Sequence, residues 1–219
     1  MLTLVAVIVL SYLLGSVSGS LLLGRFKGVD IRTQGSGNAG GTNAFRTQGA
    51  LFALGVIAID VGKGALAAGT LPGLAGELLH PVASEQPLNL ALACGFAAVL
   101  GHVYPLYHRF HGGKGAGTFV GVLLVTEPIL VLPVVAVWLV VLITTGYVGL
   151  STMLAALALF PSVILLAKAG VVNTWLVFAA VAVAFILFTH RSNIQRLNDG
   201  SEHRFEKVRL FRKPDRETH

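Results

Sequence analysis

Charge is scarce in this chain. Only 12% of its 219 residues are Asp, Glu, Lys or Arg, half of the roughly 25% typical of a soluble domain. That shortage excludes a globular fold able to cover its own apolar surface with water-facing residues. Cysteine is nearly absent. Cys94 stands alone inside an apolar run, which excludes an internal disulfide and leaves it as a small packing residue. Acids are the rarer sign, 10 against 16 basic residues. The excess suits anionic lipid headgroups or a phosphorylated substrate. It does not suit nucleic acid, since no separate basic soluble domain is present. The chain also lacks internal repeats and low-complexity segments.

What remains is long and apolar. Runs cover 2–23, 50–71, 88–100, 119–147, 149–168 and 175–189, and about 20 apolar residues in a helix span roughly 30 Å of hydrocarbon. The first run has no basic residue before it, while Arg25 and Lys27 follow it. It therefore reads as a retained span rather than a cleaved signal peptide. Three segments hold 14 of the 16 basic residues: 25–46, 109–114 and the tail from Arg191. The positive-inside rule puts all three in the cytoplasm. An outside N-terminus and a cytoplasmic tail then require an odd number of crossings. Glu127-Pro128 divides the longest run, because proline breaks helices. The expectation is an all-α integral membrane protein with seven transmembrane helices, N-terminus outside and C-terminus cytoplasmic. Five crossings with a re-entrant segment are the alternative. The proline-bearing 70–87 loop falls outside. Residues 1–190 form a single transmembrane domain and 191–219 a basic cytoplasmic tail.

Three polar segments interrupt the grease. GSGNAG, residues 35–40, matches the G-x-G-x-x-G dinucleotide fingerprint letter for letter. That motif requires a preceding buried strand and a βαβ unit. Here polar, basic GRFKGVDIRTQ precedes it and a membrane span follows, so no nucleotide fold is available. YHRFHGGKGAGT, residues 107–118, resembles a P-loop, but Gly115 rather than Ser or Thr follows Lys114. Glycines, a lysine and a helix start still make an anion site, and a tight helix–helix turn is the competing reading. In FTHRSNIQRLNDGSE, residues 188–202, His190 and Asn193 share one helix face. Parity places all three loops on one face, beside hydrocarbon. Together they offer Arg46, Lys114 and Arg191 or Arg196, several amides and hydroxyls, and one histidine. Such a pocket suits a small, doubly negative, hydroxylated ligand and an acyl chain entering from the bilayer.

GSGNAGGTNAFR, GHVYPLYHRFHGGKGAGT and HRSNIQRL, in that order, make the chain resemble the bacterial acyl-phosphate:glycerol-3-phosphate acyltransferases from the first span to the tail. The resemblance implies acyl transfer from acyl phosphate to the 1-hydroxyl of sn-glycerol 3-phosphate, giving lysophosphatidate and phosphate in bacterial phospholipid biosynthesis. It implies a seven-helix architecture, a site on the cytoplasmic face of the inner membrane, no cofactor and no metal. Ser36, Asn38, Thr42, Asn43 and Arg46 would line the pocket, with Ser36 and Arg46 mattering most for turnover. Gly112, Gly113, Lys114 and Gly115 would hold glycerol 3-phosphate, and His190 and Asn193 would belong to the catalytic centre. Ser151 matches a family serine by a looser alignment. Membrane lipids are the surrounding partner, and docking by a soluble acyl-phosphate-forming enzyme stays open.

The hydroxyl proton has two candidate acceptors, His190 and a substrate phosphate. Gln195 stands five residues after His190, so the H-x-x-x-x-D signature of acyl-CoA-dependent glycerol-phosphate acyltransferases is missing. Asp60 and Lys63, three apart in a span, are expected to form a structural ion pair. His102 reads as a packing or hydrogen-bonding residue, and Glu202 as organising the tail through an arginine. A transporter or flippase is the competing class, but it would place its polar residues near the midplane. A non-catalytic scaffold leaves three anion-binding loops without a purpose. A transferase with another phosphorylated acceptor is set aside by the resemblance alone.

Overall fold

The computed structural model describes residues 2–74 and 87–206. All regular structure among them is helical. The first span is broken: α1 (Leu2–Gly15) and α2 (Gly19–Lys27) meet at 43°. Then come the short polar helix α3 (Gly41–Gln48) and the long apolar α4 (Ala50–Gly69) and α5 (Pro87–Val103). The divided run gives α6 (Ala116–Thr126) and α7 (Val131–Thr145), separated at Glu127-Pro128 as expected. Next are α8 (Val148–Leu157), α9 (Leu159–Leu166) and α10 (Val172–Thr189), and α11 (Arg191–Asn198) follows on the polar side. Five segments are long and apolar enough to cross a membrane, and the bent α1–α2 pair makes a sixth. With 11 residues, α6 is about 16 Å long, the shortest of the seven expected spans. Most of the loop expected outside, residues 75–86, lies outside the described residues, as does the tail from 207.

Hydrocarbon gives apolar side chains no reason to avoid it, so close backbone approach has to supply the packing. A Cβ on Gly15 would lie 2.1 Å from the carbonyl of Ala98, and one on Gly101 would lie 2.1 Å from that of Tyr12. These two glycines let α1 and α5 touch. Gly64 and Gly121 do the same for α4 and α6, facing the carbonyls of Thr118 and Val61 at 2.2 and 2.0 Å. A second core is aromatic. Trp175 meets Phe178 edge-on at 5.6 Å, and Phe178, Phe119, Phe96 and Phe185 continue the stack at 5.4–6.2 Å.

Buried charge sits where the first span breaks. Asp60 and Lys63 pair at 3.0 Å, the structural ion pair their spacing suggested. The Lys63 ammonium also donates to the Val17 carbonyl at 2.8 Å, and the Gly19 amide donates to Asp60 at 3.1 Å. His102 completes the cluster, its Nδ1 lying 2.9 Å from Lys63 Nζ and 3.3 Å from Asp60 Oδ1.

Gly121 and Gly62 give a controlled test of this packing. A Cβ at Gly121 meets backbone, whereas Gly62 has nothing within 4 Å. Gly121→Ala is expected to lose about 1–3 kcal/mol of stability through overpacking, and Gly62→Ala to stay within about 0.5 kcal/mol of wild type. Thermal unfolding in detergent measures both. Equal midpoints would remove the close-approach explanation.

Candidate active site

The first motif is a loop closed on itself. Asn43, 1% exposed, donates to the carbonyls of Ile31 and Gln34 at 3.0 and 2.9 Å and accepts the Ser36 amide at 3.0 Å. These bonds present Ser36, exposed, at the rim of the loop. Asn43 was expected to line the pocket, but its amide is committed to shaping the loop. A Cβ on Gly35 would lie 2.3 Å from Asn43 Oδ1 at a φ of 57°, so a steric requirement, not a cofactor, explains that glycine. Asn38 and Thr42 are half-buried on the same segment.

The second loop departs from expectation in an informative way. The amides of Gly112 and Gly113 donate to the carbonyls of Val103 and His102, both at 3.1 Å. They close the C-terminal end of α5, whose last carbonyls have no partner within the helix. They are therefore not free to hold an anion. Gly112 and Gly113 are glycines because a methyl group would strike the His102 carbonyl or its ring, each at 2.1 Å. The anion donors left in this loop are Lys114 and the first-turn amides of α6, which starts at Gly115 with a φ of 91°.

The third segment meets Lys114 directly. Lys114 Nζ donates to Asn193 Oδ1, and the Thr189 hydroxyl donates to the Lys114 carbonyl at 3.1 Å. Asn193 Nδ2 donates to Glu202 Oε1 at 2.7 Å, and Arg196 Nε to Glu202 Oε2 at 2.7 Å. The expected tail arginine for Glu202 is thus Arg196. Asn193, expected in the catalytic centre, thus bridges Lys114 and Glu202 through the two ends of its amide. A Cβ on Gly149 would sit 2.5 Å from Asn193 Nδ2, which is why the start of α8 is bare there.

Beyond α11 the chain doubles back. The Phe205 amide donates to the Gly146 carbonyl at 2.9 Å. The Phe205 ring lies 6.0 Å from Phe45 and under the Arg46 guanidinium, 4.4 Å from its carbon. Arg46, from α3, thereby joins Arg196 and Glu202, whose charges both act on it. Arg191 turns away onto the Phe188 ring and carbonyl, which leaves Arg196 as the third cation. Ser151 is fully buried and donates to the Tyr147 carbonyl at 2.7 Å, so its hydroxyl proton stays within α8. The strap of residues 199–206 is what the motif reading did not anticipate. Phe205 was the available signal, an aromatic in a polar tail.

Electrostatics sets two proton affinities just past the ends of the spans. Burial, reinforced by Arg196, lowers the pKa of Lys114 to about 8. Burial, reinforced by Lys114, lowers that of His190 to about 4. His190 is therefore neutral at physiological pH. Its Nδ1 lies 2.8 Å from the Ile186 carbonyl. A carbonyl only accepts, so Nδ1 carries the proton and Nε2 is left as the acceptor.

A site of three cations and a neutral imidazole beside apolar helices has relatives. The model of the glycerol-3-phosphate acyltransferase family matches residues 5–200. The chain belongs to this family. A glycerol-3-phosphate acyltransferase of Chlorobaculum parvum is 40% identical, over 93% of this chain and 97% of that protein. One of Salinibacter ruber is 39% identical over 91% of each. Among solved structures, PlsY, an integral membrane glycerol 3-phosphate acyltransferase in its glycerol 3-phosphate form, superposes with a TM-score of 0.77. It shows 32% identity and covers 92% of this chain and 95% of that one. Its lysophosphatidic acid form gives 0.75. The chain is thus a multi-pass membrane glycerol-3-phosphate acyltransferase of phospholipid biosynthesis.

The Lys114 environment dictates a pH dependence. The Lys114 ammonium is charged below about pH 8 and loses its proton above it. For a Lys114 that binds the substrate phosphate, KM for glycerol 3-phosphate is expected to be flat from pH 6.5 to 7.5 and to climb towards about tenfold per unit well above pH 8. Initial rates between pH 6.5 and 9.5 measure this. A KM constant to pH 9.5 would refute the assignment.

Proposed function

We propose that the acyl donor is acyl phosphate and that transfer takes place on the cytoplasmic face of the bacterial inner membrane. The observation that carries the reading is the set of cations Lys114, Arg196 and Arg46 linked through Asn193 and Glu202, with Lys114 acting on a neutral His190. Two phosphate groups, one on each substrate, need that many cations. Acyl phosphate is a mixed anhydride, so its leaving group needs charge neutralisation more than protonation. Seven crossings with the N-terminus outside remain our topology, resting on the basic residues clustered in three segments on one side. It keeps residues 1–190 as one catalytic domain and 191–219 as a cytoplasmic tail. The buried cluster near the first break argues against a carrier, because Asp60, Lys63 and His102 are satisfied by one another and by backbone.

In this reading Lys114 and the first turn of α6 receive the phosphate of glycerol 3-phosphate, and Arg46 receives that of the donor. Ser36, Asn38 and Thr42 face the polyol and the phosphates from the rim. Gly112, Gly113 and Gly115 shape the second loop, while Asn43, Asn193 and Ser151 hold the surrounding framework. The 1-hydroxyl, oriented beside His190 Nε2, donates its proton to a phosphate oxygen of the acyl donor. Its oxygen attacks the acyl carbonyl carbon, and the bond from that carbon to the phosphate oxygen breaks. Free phosphate leaves carrying the hydroxyl proton. That acceptor is favoured over His190 because a phosphate dianion has a pKa of about 6, against about 4 for the buried imidazole.

Two measurements test the proposal. Purified protein given palmitoyl phosphate and labelled glycerol 3-phosphate is expected to form lysophosphatidate, and palmitoyl-CoA is expected to give none. Lys114→Ala should lose roughly 10- to 100-fold in kcat/KM, the worth of a charged hydrogen bond. Turnover with palmitoyl-CoA alone would overturn the donor. The acidic limb of kcat/KM should fall near pH 6, about the second phosphate ionisation. A limb near pH 4 would return the proton to His190.

A further inference from the structure

We propose that the buried Asp60–Lys63–His102 cluster positions the second loop for substrate, with His102 a positioning residue whose ring edge fixes Gly113. The proposal rests on the reading above that this loop receives glycerol 3-phosphate. All three residues are between 3% and 4% exposed. Asp60 and Lys63 already neutralise each other at 3.0 Å, so charge balance does not call for a third member. The imidazole has another contact. A Cβ placed on Gly113 would lie 2.1 Å from His102 Nε2 and 2.9 Å from Cε1, and also 2.9 Å from the carbonyl of Ala39. Gly113 is therefore gripped between the ring and the backbone of the first motif. Its amide is tied as well, to the His102 carbonyl at 3.1 Å.

The ring in turn cannot move. Lys63 Nζ lies 2.9 Å from its Nδ1, and Asp60 Oδ1 lies 3.3 Å away. The same two residues hold Val17 and Gly19 at the break between α1 and α2. Helices α1, α2, α4 and α5 thus share one buried reference point, and a loop of the site rests on it. The next residue along that loop is Lys114, itself constrained by Thr189 and Asn193. Displacing Gly113 displaces both the cation and the first turn of α6. A buried ion pair is often replaceable by apolar residues without loss of stability. A role in geometry gives this one a reason to be here.

Steady-state kinetics and detergent melting separate positioning from stability. His102→Asn keeps a polar atom near the Nδ1 position and removes the edge that meets Gly113. It is expected to raise KM for glycerol 3-phosphate about tenfold, with kcat within about threefold, as for a modest misplacement of a binding group. His102→Gln, which returns an amide towards the Nε2 position, should bring KM back to within about threefold of wild type. Gly113→Ala should be severe in the wild-type background and much milder in His102→Asn, where the methyl has room. That non-additivity is a readout a purely structural role would not produce. Should His102→Asn fail to fold, Asp60→Asn, which keeps side-chain volume, is expected to raise KM severalfold. An unchanged KM in the folded variant, or additive effects in the double variant, would overturn the proposal. Wild-type protein that does not acylate glycerol 3-phosphate would instead sink the function proposed above.

Discussion

Two backbone groups inside hydrocarbon govern much of this molecule. Where the first span breaks, the Val17 carbonyl and the Gly19 amide leave helical pairing, and no water is available to satisfy them. Lys63 and Asp60 do so from the neighbouring helix. The broken span delivers the first motif at an angle to the membrane, and the paired charges lock that angle. The position of the first motif therefore depends on two charges buried in α4.

Much of the architecture was legible in the sequence because membranes impose simple rules. Apolar runs and the Glu127-Pro128 break located the helices, and the spacing of Asp60 and Lys63 located the ion pair. The rejected dinucleotide motif turned out to hold a loop stitched by Asn43. What the sequence concealed depends on contacts between distant segments. The glycines of GGKG read as an anion cradle, yet two of their amides cap α5, and their missing side chains make room for His102. Asn193 read as part of the catalytic centre, and nothing local showed that it bridges Lys114 and Glu202. His102 read as packing, and nothing in its local sequence linked it to a lysine 39 residues earlier. Local patterns report which residue types a loop needs, and they do not say whether protein or ligand makes the demand.

The site separates binding from chemistry in a way that suits its reaction. Charge is supplied by side chains from three different segments, each held by a neighbour: Lys114 by Asn193, Arg196 by Glu202, and Arg46 by the Phe205 ring. The imidazole is kept neutral by burial, reinforced by Lys114. With acyl phosphate as the proposed donor, a good leaving group comes with the substrate, so a protein that neutralises, aligns and excludes water has most of what the transfer requires.

The doubling-back of the chain after Asn198 bears on biogenesis. Glu202 and Phe205 reach across to Asn193, Arg196, Gly146 and Arg46, and they are among the last described residues to leave the ribosome. A nascent chain still lacking them has its greasy helices and its first two loops, but not the carboxylate and aromatic ring that hold the cations in register. A chain cut before Glu202 would keep every described apolar span and lose the contacts that hold Asn193, Arg196 and Arg46.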